Sequence, residues 1–164
     1  MRKFIAVLGI AAVTMGGCAG AAMADDHVAV KAPAPAATTK APPTPAIKDS
    51  DPKLKYVQAD KLVTITREGK PVAKVTLASA RYTKNSGTVV LSVAAARPFT
   101  IDPAMFTLYD VEGWENDPVQ TKPVRFETGT GSLKLTFAGT PADPGALGWV
   151  PQNGKEAVAV WERS

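Results

Sequence analysis

From residue 53 onward the chain reads as all-β, an antiparallel sandwich, and three observations predict it. Apolar and polar residues alternate in short runs, the pattern of half-buried strands. Gly, Pro, Asn and Asp cluster between these runs, roughly a dozen residues apart. No stretch shows an apolar repeat near 3.6 residues, so no amphipathic helix is expected. Half-buried strands must cover one face, and two sheets packed face to face achieve this. A small barrel is the alternative closure.

The elements follow in order. Leu62–Arg67 is rich in Thr and Ile and forms a first strand, closed by a turn at Glu68-Gly69-Lys70-Pro71. Val72–Ala78 alternates, with Val75 and Leu77 on one face and Lys74 and Thr76 on the other; Arg81-Tyr82 extends it. After a turn at Lys84-Asn85-Ser86-Gly87, Thr88–Ala95 places Val89, Leu91 and Val93 on one face. The prolines from Arg97-Pro98 to Asp102-Pro103 break the run. Met105–Val111 is a strand with Phe106 and Leu108 inward, ended by Glu112-Gly113. Pro123–Phe126 reads as a short edge strand, and Thr128–Gly131 as a turn. Ser132–Phe137 points Leu133, Leu135 and Phe137 to one side. Thr140–Gly148 reads as loop and Glu156–Trp161 as the closing strand. That makes about seven strands in roughly 110 residues, the size of one small domain.

The N-terminal third has another texture. Met1-Arg2-Lys3 is a short positive start, Phe4–Val13 is apolar, and small residues lead to Ala22-Met23-Ala24. This is the layout of a secretory signal peptide over residues 1–24 with an A-x-A cleavage site. Its apolar run is shorter than the roughly 20 residues a bilayer span needs. A second cleavage reading stays open. Met15-Gly16-Gly17-Cys18 resembles a bacterial lipobox, which would end the leader at residue 17 and make Cys18 an acylated N-terminus. Residues 25–52 carry six prolines, at 33, 35, 42, 43, 45 and 52, set among Ala and Thr. That composition predicts a disordered, extended Pro/Ala-rich linker, a stalk of up to about 3.1 Å per residue. The domain proper is then expected over 53–164.

The chemistry of the domain is sparse. The formal charge of +4 includes Arg2 and Lys3, and the remaining basic residues are scattered. Nucleic-acid binding needs a basic face, so no nucleic-acid partner is expected. Cys18 is the single cysteine, so no internal disulfide can form. The single histidine, His27, lies in the linker, which leaves the domain without a histidine base for Ser or Cys catalysis or the usual zinc ligands. No enzyme activity and no cofactor are expected. One acidic stretch, Asp110, Glu112, Glu115 and Asp117, offers oxygen ligands suited to calcium, but without EF-hand spacing. A charged hairpin tip is the competing reading. Trp161 in the last strand is expected in the core, whereas Trp114 and Trp149 fall in turn or loop text and are candidate contact residues.

Two segments carry a resemblance. Gly131, Lys134 and Phe137 lie in one strand; Asn153, Gly154 and Glu156 form a turn; Trp161-Glu162 ends the last strand. This arrangement resembles the C-terminal end of a small secreted immunogenic antigen family of mycobacteria. Phe106–Gly113, an F-x-L-x-D-x-x-G pattern, is similar to Ig-like domains of unknown function in actinobacterial lipoproteins. The resemblance spans Val72 to Glu162. It implies an immunoglobulin-like antiparallel sandwich, secreted or tethered outside the cell, with no catalytic residues to transfer. The expected partner is an unknown extracellular or envelope protein; a lipid anchor on Cys18, where the lipobox reading holds, would add the membrane. A small-ligand or calcium-binding envelope protein is the alternative.

Overall fold

A computed structural model describes residues 42–139, 143–152 and 156–163. This part of the chain is all-β. Its strands are β1 (Ile47–Lys48), β2 (Leu54–Ala59), β3 (Leu62–Arg67), β4 (Lys70–Thr83), β5 (Ser86–Ala95), β6 (Phe99–Ile101), β7 (Phe106–Asp110), β8 (Glu115–Asn116), β9 (Val124–Phe126), β10 (Gly129–Ala138), β11 (Pro144–Trp149) and β12 (Ala159–Glu162). A 3₁₀ turn at Pro103–Met105 is capped by the Asp102 carboxylate.

The largest sheet runs β10-β5-β4-β3-β2 and is antiparallel throughout. Two short turns set its register. Asp60 sits at φ 53°, and Glu68 and Gly69 sit at φ 52° and 76°. At Glu68-Gly69, positive φ at both central residues matches the twist of the flanking strands. The second sheet runs β12-β11-β7-β8, also antiparallel. The third is small, with β6 between a parallel β1 and an antiparallel β9.

Inward side chains from all three sheets form one buried cluster. Val63, Ile65, Val75, Leu91, Val93 and Leu135 come from the large sheet, Phe106, Leu108, Leu147 and Trp149 from the second, and Phe99 and Ile101 from the third. The indole of Trp149 stacks on Phe106 with centroids 5.1 Å apart and meets the ring of Tyr56 edge-on at 5.4 Å. The arrangement is consistent with an immunoglobulin-like sandwich.

The structure departs from the sequence reading in several places, four of which matter for the architecture. β2 precedes the first expected strand and completes the large sheet. The proline-flanked break contains β6, whose Phe99 and Ile101 are fully buried; three residues are too few to show a period. The expected loop at 140–148 overlaps β11, which pairs on both sides. Its glycines read as loop punctuation, but they permit close packing. A Cβ on Gly145 would lie 3.1 Å from the Asp110 carbonyl oxygen, and one on Gly148 would lie 3.0 Å from the Tyr109 ring. Finally, the expected linker reaches residue 52, yet Ile47 and Lys48 pair with Phe99 and Thr100, so the fold begins before residue 53.

A side chain joins two sheet edges. The Gln58 carboxamide in β2 donates to the Val160 carbonyl at 2.7 Å and accepts from the Val160 N–H at 2.9 Å. Gln58 thus takes the place of a neighbouring strand beside β12. Trp161 Nε1 donates to the Lys61 carbonyl at 3.0 Å and fixes the same seam. Replacing Gln58 with Ala should cost about 1 kcal/mol in denaturant unfolding and speed exchange of the Val160 amide. An unchanged exchange rate at Val160 would show that the clamp does not hold the seam.

Candidate functional site

The acidic stretch lies where β7 ends and β8 returns. Asp110 stops the strand by folding its carboxylate over the turn. Its Oδ1 accepts from the Glu112 N–H at 2.9 Å and the Trp114 N–H at 2.8 Å, while its own N–H donates to the Trp114 carbonyl at 3.1 Å. Gly113 at φ 88° permits the tight return. Two residues then pair back, Asn116 with Leu108 and Glu115 with Tyr109. Beyond them the Asn116 amide donates to the Ala138 and Gly139 carbonyls, each at 3.1 Å, and ties the turn to the end of β10.

This geometry separates the four carboxylates. Asp110 is committed to its own turn, and Asp117 Oδ1 accepts from the Thr107 hydroxyl at 3.3 Å. Glu112 and Glu115 stand exposed. Among the described residues no three or more His, Cys, Asp or Glu side chains gather as a metal-holding group. The calcium expectation for Asp110, Glu112, Glu115 and Asp117 therefore finds no ligand cage here.

The two candidate contact tryptophans differ. Trp114 is 71% exposed at the tip of the turn, with Val111 beside it at 67%. Trp149 is fully buried in β11. The contact expectation for Trp149 is corrected, because its ring is spent on Phe106 and Tyr56. The Cys18 lipidation candidate and His27 lie outside the described residues, as do Asn153 and Gly154 of the C-terminal resemblance.

A cleft of about 340 Å³ opens between the far half of β4 and the β11–β12 pair, walled by Leu77, Tyr82, Leu147, Trp161, Glu162 and Arg163. Arg163 is held by Asp143 at 2.7 Å, and burial pushes the Tyr82 phenol up. Among the described residues no helix is long and apolar enough to cross a membrane.

Sequence reasoning missed Asp49, which reads as linker text in Asp49-Ser50-Asp51-Pro52. It is 3% exposed and follows directly on β1. Its Oδ2 accepts from the Asp102 N–H at 2.9 Å, its N–H donates to the Thr100 carbonyl, and its carbonyl accepts from the Tyr56 hydroxyl. The Trp149 indole N–H approaches its carboxyl without completing a hydrogen bond, leaving Nε1 buried and unpartnered. Loss of hydration raises the Asp49 carboxyl to about 6, opposed mainly by the Asp102 N–H. Burial and the Asp49 charge push the Tyr56 phenol up.

No family model matches the chain, and no curated protein matches it. Among solved structures it is similar to MPT63, a secreted protein from Mycobacterium tuberculosis. The identity is 12% over 74% of this chain and 100% of that one, with a TM-score of 0.44, a weak structural likeness.

Asp49 gives the fold a pH dependence with a definite sign. The folded carboxyl keeps its proton to about pH 6, against a usual value of 3.8. Between these values the folded state binds more protons, so this contribution is full below about pH 4 and lost as pH rises through about 6. Asp49→Asn should therefore be more stable than the parent at neutral pH, by on the order of 3 kcal/mol, and the gap should close on acidification. Thermal melts of both proteins across this range measure it; parallel curves would refute the assignment.

Proposed function

We propose that this chain is an exported, non-catalytic interaction module of a bacterial cell envelope, an immunoglobulin-like sandwich presented on a Pro/Ala-rich spacer. The observation that carries the binding role is Trp114. A large aromatic side chain stands in solvent on a turn that Asp110 holds with four hydrogen bonds. An aromatic residue ordered before contact loses little entropy on binding and buries a large apolar area. Val111 extends the apolar tip.

Export is supported by the residues of the leader: a positive start, a short apolar run and an A-x-A end over 1–24. Acylation of Cys18 would instead end the leader at residue 17 and place the module on the membrane. Two acyl signals suffice for stable anchoring where a single chain gives only marginal attachment. In this organisation the spacer runs from residue 25 to the start of β1, and one domain follows.

Two measurements test this reading. Trp114→Ala should keep the parent's melting temperature, since the ring packs on little, while reducing envelope proteins retained by the immobilised chain at least tenfold; equal retention would remove Trp114 from the contact. Cys18→Ser should move an anchored protein from the membrane to the soluble fraction. A mature N-terminus at Asp25, found by mass spectrometry, would instead fix cleavage after Ala24 and exclude the anchor.

A further inference from the structure

A second surface, apart from the Trp114 turn, lies along the outer edge of β10. The ladder between β10 and β5 runs without a register shift from Gly129 to Ala138. On the other side of β10, only its C-terminal end, at Thr136 and Phe137, is covered among the described residues. Pro118 bridges to Phe137, the Val119 N–H donates to the Thr136 carbonyl at 2.8 Å, and the Thr136 N–H donates to the Gln120 side chain at 2.9 Å. Thr136 thus turns both backbone groups away from β5. In an unbroken antiparallel ladder every second residue does the same. Lys134 and Ser132 therefore also direct N–H and C=O outward, where no described strand pairs with them.

A groove of about 510 Å³ runs beside these free groups. Val119, Val124 and Leu133 supply its apolar lining, and Lys122 and Lys134 stand at it with no carboxylate among the lining residues. Leu133 points to the core side of β10 and Lys134 to the exposed side.

We propose that this edge receives an extended peptide of a partner protein, added as a further strand beside β10, in which apolar and acidic residues alternate. Main-chain hydrogen bonds to Ser132 and Lys134 provide the attachment. The period of two in a strand sends alternate guest side chains to opposite faces. One set meets Val119, Val124 and Leu133; the other lies beside Lys134, where a carboxylate forms a favourable cross-strand pair and an ammonium an unfavourable one. The lysines thus select the charge of the guest, while the groove selects its apolar half.

The experiment uses the full chain, isotope-labelled, with two capped heptapeptides as probes: alternating Val and Glu, and alternating Val and Lys. The Glu peptide should shift and slow the exchange of the Ser132 and Lys134 amides and perturb Val119 to Val124. The Lys peptide should bind at least tenfold more weakly. Lys134→Glu should reverse that preference. Ser132→Pro removes an outward donor without touching the ladder to β5, and should abolish binding of both. Trp114→Ala should leave the affinity unchanged, so loss of the Trp114 reading does not disturb this one. Unperturbed Ser132 and Lys134 amides at millimolar Glu peptide, or equal binding of the two peptides, would overturn the proposal. So would sedimentation showing that this edge is already buried between two copies of the chain.

Discussion

Trp149 is where the large sheet meets the second, and Tyr56 links that contact to the chain leaving β1. Trp149 belongs to the second sheet, stacks on Phe106 of the neighbouring strand and takes the edge of Tyr56 from the large sheet. The Tyr56 hydroxyl donates to the Asp49 carbonyl, and Asp49 ties β1 to the Asp102 N–H beyond β6. One aromatic group thus couples the large sheet to the second, and Tyr56 and Asp49 tie in the small third sheet. Aromatic pairs of this kind contribute about 0.5–1.5 kcal/mol beyond their buried area. Their direction matters more here than their size, because they fix how the layers lie over one another. The unpartnered indole N–H and the raised Asp49 carboxyl are the cost of crowding polar atoms around that contact.

The sequence disclosed those parts of the fold whose side chains alternate over five residues or more. Leu133, Leu135 and Phe137 announce β10, and Val89, Leu91 and Val93 announce β5, because each faces solvent on one side and the core on the other. Strands governed by other rules stayed hidden. β6 is three residues between prolines, and β1 is two residues in linker-like text. β11 hides because Gly145 and Gly148 serve close packing against β7, a pairwise need that no single run of residues can display. The site was partly visible. Trp114 is placed in a turn by Glu112-Gly113, and the structure adds the Asp110 carboxylate as the reason the turn is rigid. Trp149 and Asp49 were misplaced by loop-like and linker-like surroundings, since burial is decided by distant partners.

Exposed strand edges invite wrong pairing, and the fold treats its edges unequally. The outer side of β12 is closed at Val160 by the amide of Gln58, a side chain shaped like a peptide group. The C-terminal end of β10, at Thr136 and Phe137, is closed by residues 118–120, again with a carboxamide, Gln120, completing the backbone pattern. Two glutamines solve the same problem on different sheets. The stretch of β10 up to and including Lys134 has neither solution among the described residues. It carries Lys134 instead, a residue type that discourages uncharged or basic strands while tolerating acidic ones.

Residues 111–124, the crossover from β7 to β9, carry three of the five large apolar side chains exposed among the described residues, Val111, Trp114 and Val119. Trp114 stands at one end, and Val119, Lys122 and Val124 border the edge of β10 at the other. The connection itself supplies no member of the buried cluster, which draws on β2 to β7 and β9 to β12; only Val124 at its end packs against it. It is nevertheless held firmly, by Asp110 at its start, Asn116 on the Ala138 and Gly139 carbonyls, and the bridge from Pro118 to Phe137. A segment fixed by hydrogen bonds but absent from the core can change its exposed side chains with little effect on stability. The separation of the Trp149 assembly from this crossover therefore lets the exposed side chains vary while the buried cluster stays constant.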